Sequence, residues 1–192
     1  MGNRRCILYI KNMVCPHCKQ SVKKILTDMG CIVIAVELGQ AVVSTKSLPA
    51  LSLISTKLRS LEFDLLYTPT SKLVERIKTL LINDMYYQSC QVNLPYLQNY
   101  LELATHHNYQ YLETQFYSVY QISIKQYWER LRFERAKELL SYNEKTSEEI
   151  TQELGYLSRR ELETEFEQTL GLSVTEFIQS ETNFRLSLDK LV

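Results

Sequence analysis

Residues 146–177 read TSEEITQELGYLSRRELETEFEQTLGLSVTEF, and their spacing decides the fold of the C-terminal part. Thr146 and Glu149 have the spacing of a capping box, in which a hydroxyl and a carboxylate satisfy each other's free backbone N–H groups. Ile150 and Leu154 follow as an apolar stripe, and Gly155 suits a tight turn. Ser158 and Glu161 repeat the capping signature, Leu162 and Phe166 stand one turn apart, and Gly171 stops the helix. A short helix, a turn and a second helix result.

The preceding residues predict the same unit once more. Pro95 to Ala104 is a helix, and Asn108 can cap a second one through Tyr120, with Leu112, Phe116 and Val119 inward. A longer helix then carries Ile124, Tyr127, Trp128 and Leu131 on one face, followed by Ala136, Leu139 and Leu140. The spacing thus predicts an all-α tandem helix-turn-helix domain over 91–182, with a short tail at 183–192. Residues 71–90 predict a helical linker with the stripe Leu73, Ile77, Leu80, Leu81, which suits a connecting helix or the seam of a homodimer. Nine of the thirteen tyrosines lie from Tyr86 to Tyr127, at spacings that suit half-buried helix packing.

Residues 1–70 follow another rhythm. Cys6 to Ile10 reads as a strand, and a loop leads into a helix with Val22, Ile25, Leu26 and Met29 on one face. Cys31 to Val36 reads as a buried strand, Gly39 as a turn and Ala41 to Thr45 as its hairpin partner. Leu51, Ile54, Leu58 and Leu61 give a second helical stripe, Phe63 to Tyr67 a last strand, and Pro69 an end. The order βαββαβ is the ferredoxin-like arrangement, so the chain is read as α+β, a ferredoxin-like domain followed by the helical one.

Cys15 and Cys18 sit where the first strand hands over to the first helix. Two thiols so spaced can face one ion, and a helix N-terminus lowers a thiol's pKa. Soft thiolates in a two-ligand site suit Cu(I), with Zn(II) where outside ligands complete four. A redox pair is a second reading, but only fourteen residues precede Cys15, fewer than a thioredoxin-like fold needs before its motif. A third is an interaction module whose thiols are relics. Cys6 and Cys31 read as small core residues, and Cys90 receives no role.

The net charge is zero, yet residues 1–70 hold nine Lys/Arg against four acids while the remainder is acidic to the same extent. No Lys or Arg lies between Lys78 and Lys125. No apolar run reaches the ~18 residues of a membrane span, and none resembles a signal-peptide core. The start Met1-Gly2 has Cys6 where a myristoylation signal would have Ser or Thr. An odd count of five cysteines without a secretory signal predicts reduced thiols and a cytoplasmic location. No paired carboxylate, nucleophile or phosphate-loop pattern stands out, so no enzyme and no small-molecule substrate is expected.

Met13-x-Cys15-x-x-Cys18 on the βαββαβ order resembles the heavy-metal-associated domain of copper chaperones and metal-transport ATPases. His17 between the cysteines, and Asn12 where that family usually has Gly, are departures. Leu131-Arg132-x3-Ala136-x2-Leu139-Leu140, Ile150-x3-Leu154-Gly155-Tyr156, and Leu162-x3-Phe166-x4-Gly171-Leu172-Ser173-x2-Glu176-Phe177 resemble the AraC-type DNA-binding domain, over about 85 residues. The whole chain resembles small bacterial regulators that join the two.

That resemblance implies a transcription regulator bound to double-stranded DNA through two recognition helices, at about 109–120 and 159–170, each in a major-groove segment. By position, Gln110, Tyr111 and Thr114 on the first, and Arg159, Arg160 and Thr164 on the second, are the DNA-reading candidates. The departures are electrostatic. After the core aromatic of each recognition helix, where the family usually has basic residues, this chain has Tyr117-Ser118 and Glu167-Gln168, and the second helix carries Glu161, Glu163, Glu165 and Glu167. Gln121 stands where the family turns with Gly. An alternative therefore stays open: a metal-handling or interaction module on a helix-turn-helix scaffold that has lost DNA binding.

Overall fold

The computed structural model describes residues 4–45, 51–88, 94–180, 182 and 184–192. Cys90 lies outside the described residues, as do Met1 and Gly2. In chain order the elements are β1 Arg4–Lys11, α1 Pro16–Asp28, β2 Ile32–Glu37, β3 Gln40–Thr45, α2 Leu51–Arg59, β4 Asp64–Leu65 and α3 Pro69–Tyr87. There follow α4 Leu94–Thr105, α5 Tyr109–Tyr120, α6 Ile124–Tyr142, α7 Ser147–Glu153, α8 Arg159–Leu170, α9 Val174–Gln179 and a 3-10 turn Leu188–Lys190. The chain divides into two compact units, 1–80 with 110–119, and 81–109 with 120–192. Helix α3 covers most of the stretch expected as a helical linker, and the division between the two units falls within it, after Leu80.

In the first unit the strands form one antiparallel sheet in the order β2-β3-β1-β4. Leu8 and Ile10 of β1, Ala41 and Val43 of β3, Val22 and Leu26 of α1, and Ile54 and Leu58 of α2 are buried. They carry the alternation of a sheet with one covered face and the 3.6 period of the helices laid on it.

Three expectations are corrected here. Cys31 is buried, but Ile32 is 59% and Ile34 48% exposed, so the following run is not a buried strand. The physical reason is position: β2 is the sheet edge, and a bulge between Val33 and Ala35 breaks its alternation. The last strand shrinks to Asp64–Leu65, although Leu66 N–H still donates to the Tyr9 carbonyl at 2.9 Å. Pro69 opens α3 rather than ending a segment, since proline's fixed φ and absent N–H suit a first helical turn.

The second unit is built around α6, whose Ile124, Tyr127, Trp128, Leu131, Phe133, Ala136, Leu139 and Leu140 are all buried. Burial on every side also takes in Arg132, Glu134 and Lys137, which find partners inside. Ser123 with Gln126, Thr146 with Glu149 and Ser173 with Glu176 make complete capping boxes at α6, α7 and α9. Phe166 of α8 meets Phe133 edge-on at 4.8 Å and Phe177 at 5.0 Å, which joins α8, α6 and α9 through one aromatic cluster.

Candidate nucleic-acid interface

The turn from α7 to α8 is made as the residues suggest. Tyr156 N–H donates to the Thr151 carbonyl at 3.0 Å, and Gly155 takes φ +68, a left-handed value that costs glycine little. Ser158 caps α8, its hydroxyl accepting from Glu161 N–H at 3.3 Å. Glu161 does not return the bond as a full box would. Its carboxylate accepts from Leu157 N–H at 2.7 Å and from Arg132 at 3.1 Å.

That diversion changes the electrostatics of α8. Arg132, buried on α6, lies 3.1 Å from Glu161 and 3.8 Å from Glu165, and its guanidinium stacks 3.8 Å over the Tyr156 ring. Tyr156 donates its hydroxyl to Glu165 at 2.7 Å. Burial, with the Glu165 charge beside it, pushes the Tyr156 phenol far above its usual range. Burial also raises the Glu165 carboxyl, against the lowering effect of Tyr156 and Arg132. Of the four acids of α8, two are thus turned toward a buried cation. Arg132 pairs with α8 and not with Glu129, whereas Arg135 pairs with Glu138 at 2.6 Å.

All six DNA-reading candidates are exposed. On α8, Arg159 is held by Glu148 and Glu163, each at 2.8 Å. Arg160 has no carboxylate within ion-pair distance among the described residues. Thr164 donates its hydroxyl to the Arg160 carbonyl at 2.8 Å, which leaves the oxygen able to accept. Helix α5 repeats the pattern, with Thr114 donating to the Gln110 carbonyl at 2.8 Å and Tyr111 44% exposed.

The two helices are of twelve residues each and open at Tyr109 and Arg159, fifty positions apart. At that offset Leu112 and Phe116 match Leu162 and Phe166, all fully buried. Gln121 matches Gly171, and both take left-handed values, φ +57 and φ +69. Val119 is 46% exposed, so the inward stripe of α5 ends at Phe116, as that of α8 ends at Phe166.

Two features of this surface escape a reading of caps and periodicity. Leu157 is 95% exposed, although an apolar residue just before a helix cap ordinarily staples onto the helix. Gln168 lines the same cleft as Arg160 and Thr164. The spacing of four between Arg160, Thr164 and Gln168 was the available signal for a shared face.

The cysteines meet in the first unit. Cys15 is the N-cap of α1, and its sulfur lies 2.9 Å from that of Cys18 and accepts from Cys18 N–H at 3.3 Å. Burial first, and then the Cys15 thiol beside it, push the Cys18 thiol up, contrary to the expected lowering by the helix N-terminus. Met13, in the loop between β1 and α1, is fully buried. Asn12 holds φ +69, where a glycine would be unstrained; its N–H donates to buried Glu75 at 3.0 Å and its side-chain amide to the Glu62 carbonyl at 3.0 Å. No group of three or more His, Cys, Asp or Glu able to hold a metal occurs among the described residues.

Residues 103–180 match a family model described as a helix-turn-helix domain. This stretch, less than half of the chain, is thus similar to helix-turn-helix domains, and the similarity supports the DNA-binding, AraC-type reading of its residues. No curated protein and no solved structure matches the chain. Among the described residues no helix is long and apolar enough to cross a membrane.

Proposed function

We propose that the protein is a sequence-specific, AraC-type transcription regulator whose helix α8 reads the major groove with Arg160 and Thr164. Arg159 stands by as a phosphate or base contact once released from Glu148 and Glu163. Helix α5 contributes Gln110, Tyr111 and Thr114. The observation that carries this reading is the diversion of Glu161 and Glu165 to Arg132. An acidic recognition helix is the main argument for a scaffold that has lost DNA binding, and half of that acidity is paired with Arg132. Glu163 is in turn matched by Arg159, which leaves Glu167 as the one α8 acid without an ion pair among the described residues.

The N-terminal domain has the connectivity βαββαβ and the antiparallel order β2-β3-β1-β4, which support a ferredoxin-like, heavy-metal-associated-like reading. Its two thiols fit a soft ion of low coordination number, Cu(I), held by Cys15 and Cys18. They do not fit Zn(II) from one chain, because four ligands are needed and no larger cluster exists among the described residues. Regulation by metal or by thiol state belongs to this reading.

The test is a selection of binding sites from random duplex DNA with the full chain, followed by salt titration on the enriched site. Enrichment of one sequence, with affinity falling as salt rises, is expected because phosphate contacts release counterions. No enrichment at low salt overturns the regulator.

A further inference from the structure

We propose that Leu157 is a specificity-determining residue that reads the methyl group of a thymine next to the base pair taken by Arg160. This rests on the DNA-binding reading and deepens it.

Leu157 stands at the foot of α8 with its side chain 95% exposed, while its backbone is fixed by the 2.7 Å bond from its N–H to Glu161. The staple it would ordinarily make, onto Leu162 in the first turns of α8, is not made, and Leu162 is fully buried without it. A leucine held rigidly into solvent loses the benefit of burial unless a partner supplies the apolar surface.

Its surroundings define that partner. Leu157, Arg160, Thr164 and Gln168 line one open cleft of about 520 Å³; its carboxylates are Glu161 and Glu165, both paired with Arg132, and Glu129, paired with Lys125 at 3.7 Å. A cation without a carboxylate partner, a hydroxyl acceptor, an amide and one exposed apolar side chain therefore share a surface. In the major groove, arginine matches the two acceptors of guanine and glutamine matches adenine. The thymine C5-methyl is the apolar group presented there, and an aliphatic side chain meets it. An acidic protein partner would use Arg160 but has no matching demand for Leu157. The set accordingly fits a site in which a thymine adjoins the guanine, with adenine a candidate for Gln168.

The experiment uses the full chain and its selected duplex. Each thymine in turn is replaced by deoxyuridine, which removes only the methyl. At one position beside the Arg160-dependent guanine, wild-type affinity falls by roughly fourfold, the equivalent of one buried methyl. Leu157→Ala loses the same factor on the thymine duplex and is indifferent to the replacement. Its thermal midpoint is unchanged, because the side chain is already in water. A flat deoxyuridine scan with wild type, or a penalty that persists in Leu157→Ala, overturns the inference while leaving the regulator standing. Failure to enrich any site overturns both.

Discussion

Arg132 Nη2 donates to Glu161 Oε1 at 3.1 Å, across 29 positions of chain. The acid at the third position of α8 is therefore tied to an α6 arginine whose side chain is 7% exposed. Removing the cation leaves Glu161 and Glu165 facing each other beside Tyr156. Arg132→Ala should destabilise the second unit by about 3 kcal/mol, the cost of breaking a buried pair from one side. Urea unfolding checks this, and a loss below about 1 kcal/mol would mean that the network is dispensable.

Charge reversal on the outward side of α8 should act on binding and not on folding. Glu163→Lys with Glu167→Lys should raise affinity for generic DNA and steepen its salt dependence by up to about two. Glu163→Gln alone should also strengthen binding, because it frees one of the two contacts that hold Arg159. Equal salt slopes for wild type and the double variant would place α8 away from DNA.

The matched turn residues should respond with opposite sign. Gly171 holds φ +69 with no atom within 4 Å of an added Cβ, so Gly171→Ala pays backbone strain alone, about 1 kcal/mol. Gln121 at φ +57 already bears that strain, and Gln121→Gly should recover a similar amount. Thermal midpoints of the two variants, moving down and up respectively, are the check.

Acid should fray α7 and α9 before α6. Backbone N–H donation from Thr146 and Ser173, and then their hydroxyls, hold the Glu149 and Glu176 carboxyls below the usual range. A folded pKa lowered in this way gives stability that is present above the unfolded carboxylate value of 4.5 and lost as pH falls through the folded value. The α6 box uses Gln126 and has no such titration. Glu149→Gln with Glu176→Gln should therefore flatten the acid limb of the stability profile relative to wild type, as read by denaturant midpoints against pH.

Cu(I) uptake should require both thiols of the α1 loop. Cys15→Ser with Cys18→Ser should abolish it, while Cys6→Ser and Cys31→Ser leave it intact, measured by competition against a colorimetric Cu(I) chelator. Unchanged uptake by the double variant would remove the metal reading and leave the fold untouched.

Local chemistry determined a large part of this protein. The Thr146–Glu149 cap, the Leu162–Phe166 stripe and the stop at Gly171 depend on neighbours within four or five residues, so a linear reading finds them. The strands and helices of the first seventy residues were legible for the same reason, apart from their ends. The Cys15–Cys18 pair was legible as a pair, but the rise of the Cys18 pKa was not, because burial belongs to the whole fold. Tertiary structure alone decided that β2 lies at an edge, that Glu161 and Glu165 turn to Arg132, that Arg159 is held while Arg160 is not, and that Leu157 stays in water. Each of those depends on which distant residue arrives beside the first. A helical period sets which side chains share a face, and only the packing of α6 against α8 sets which face meets a buried arginine.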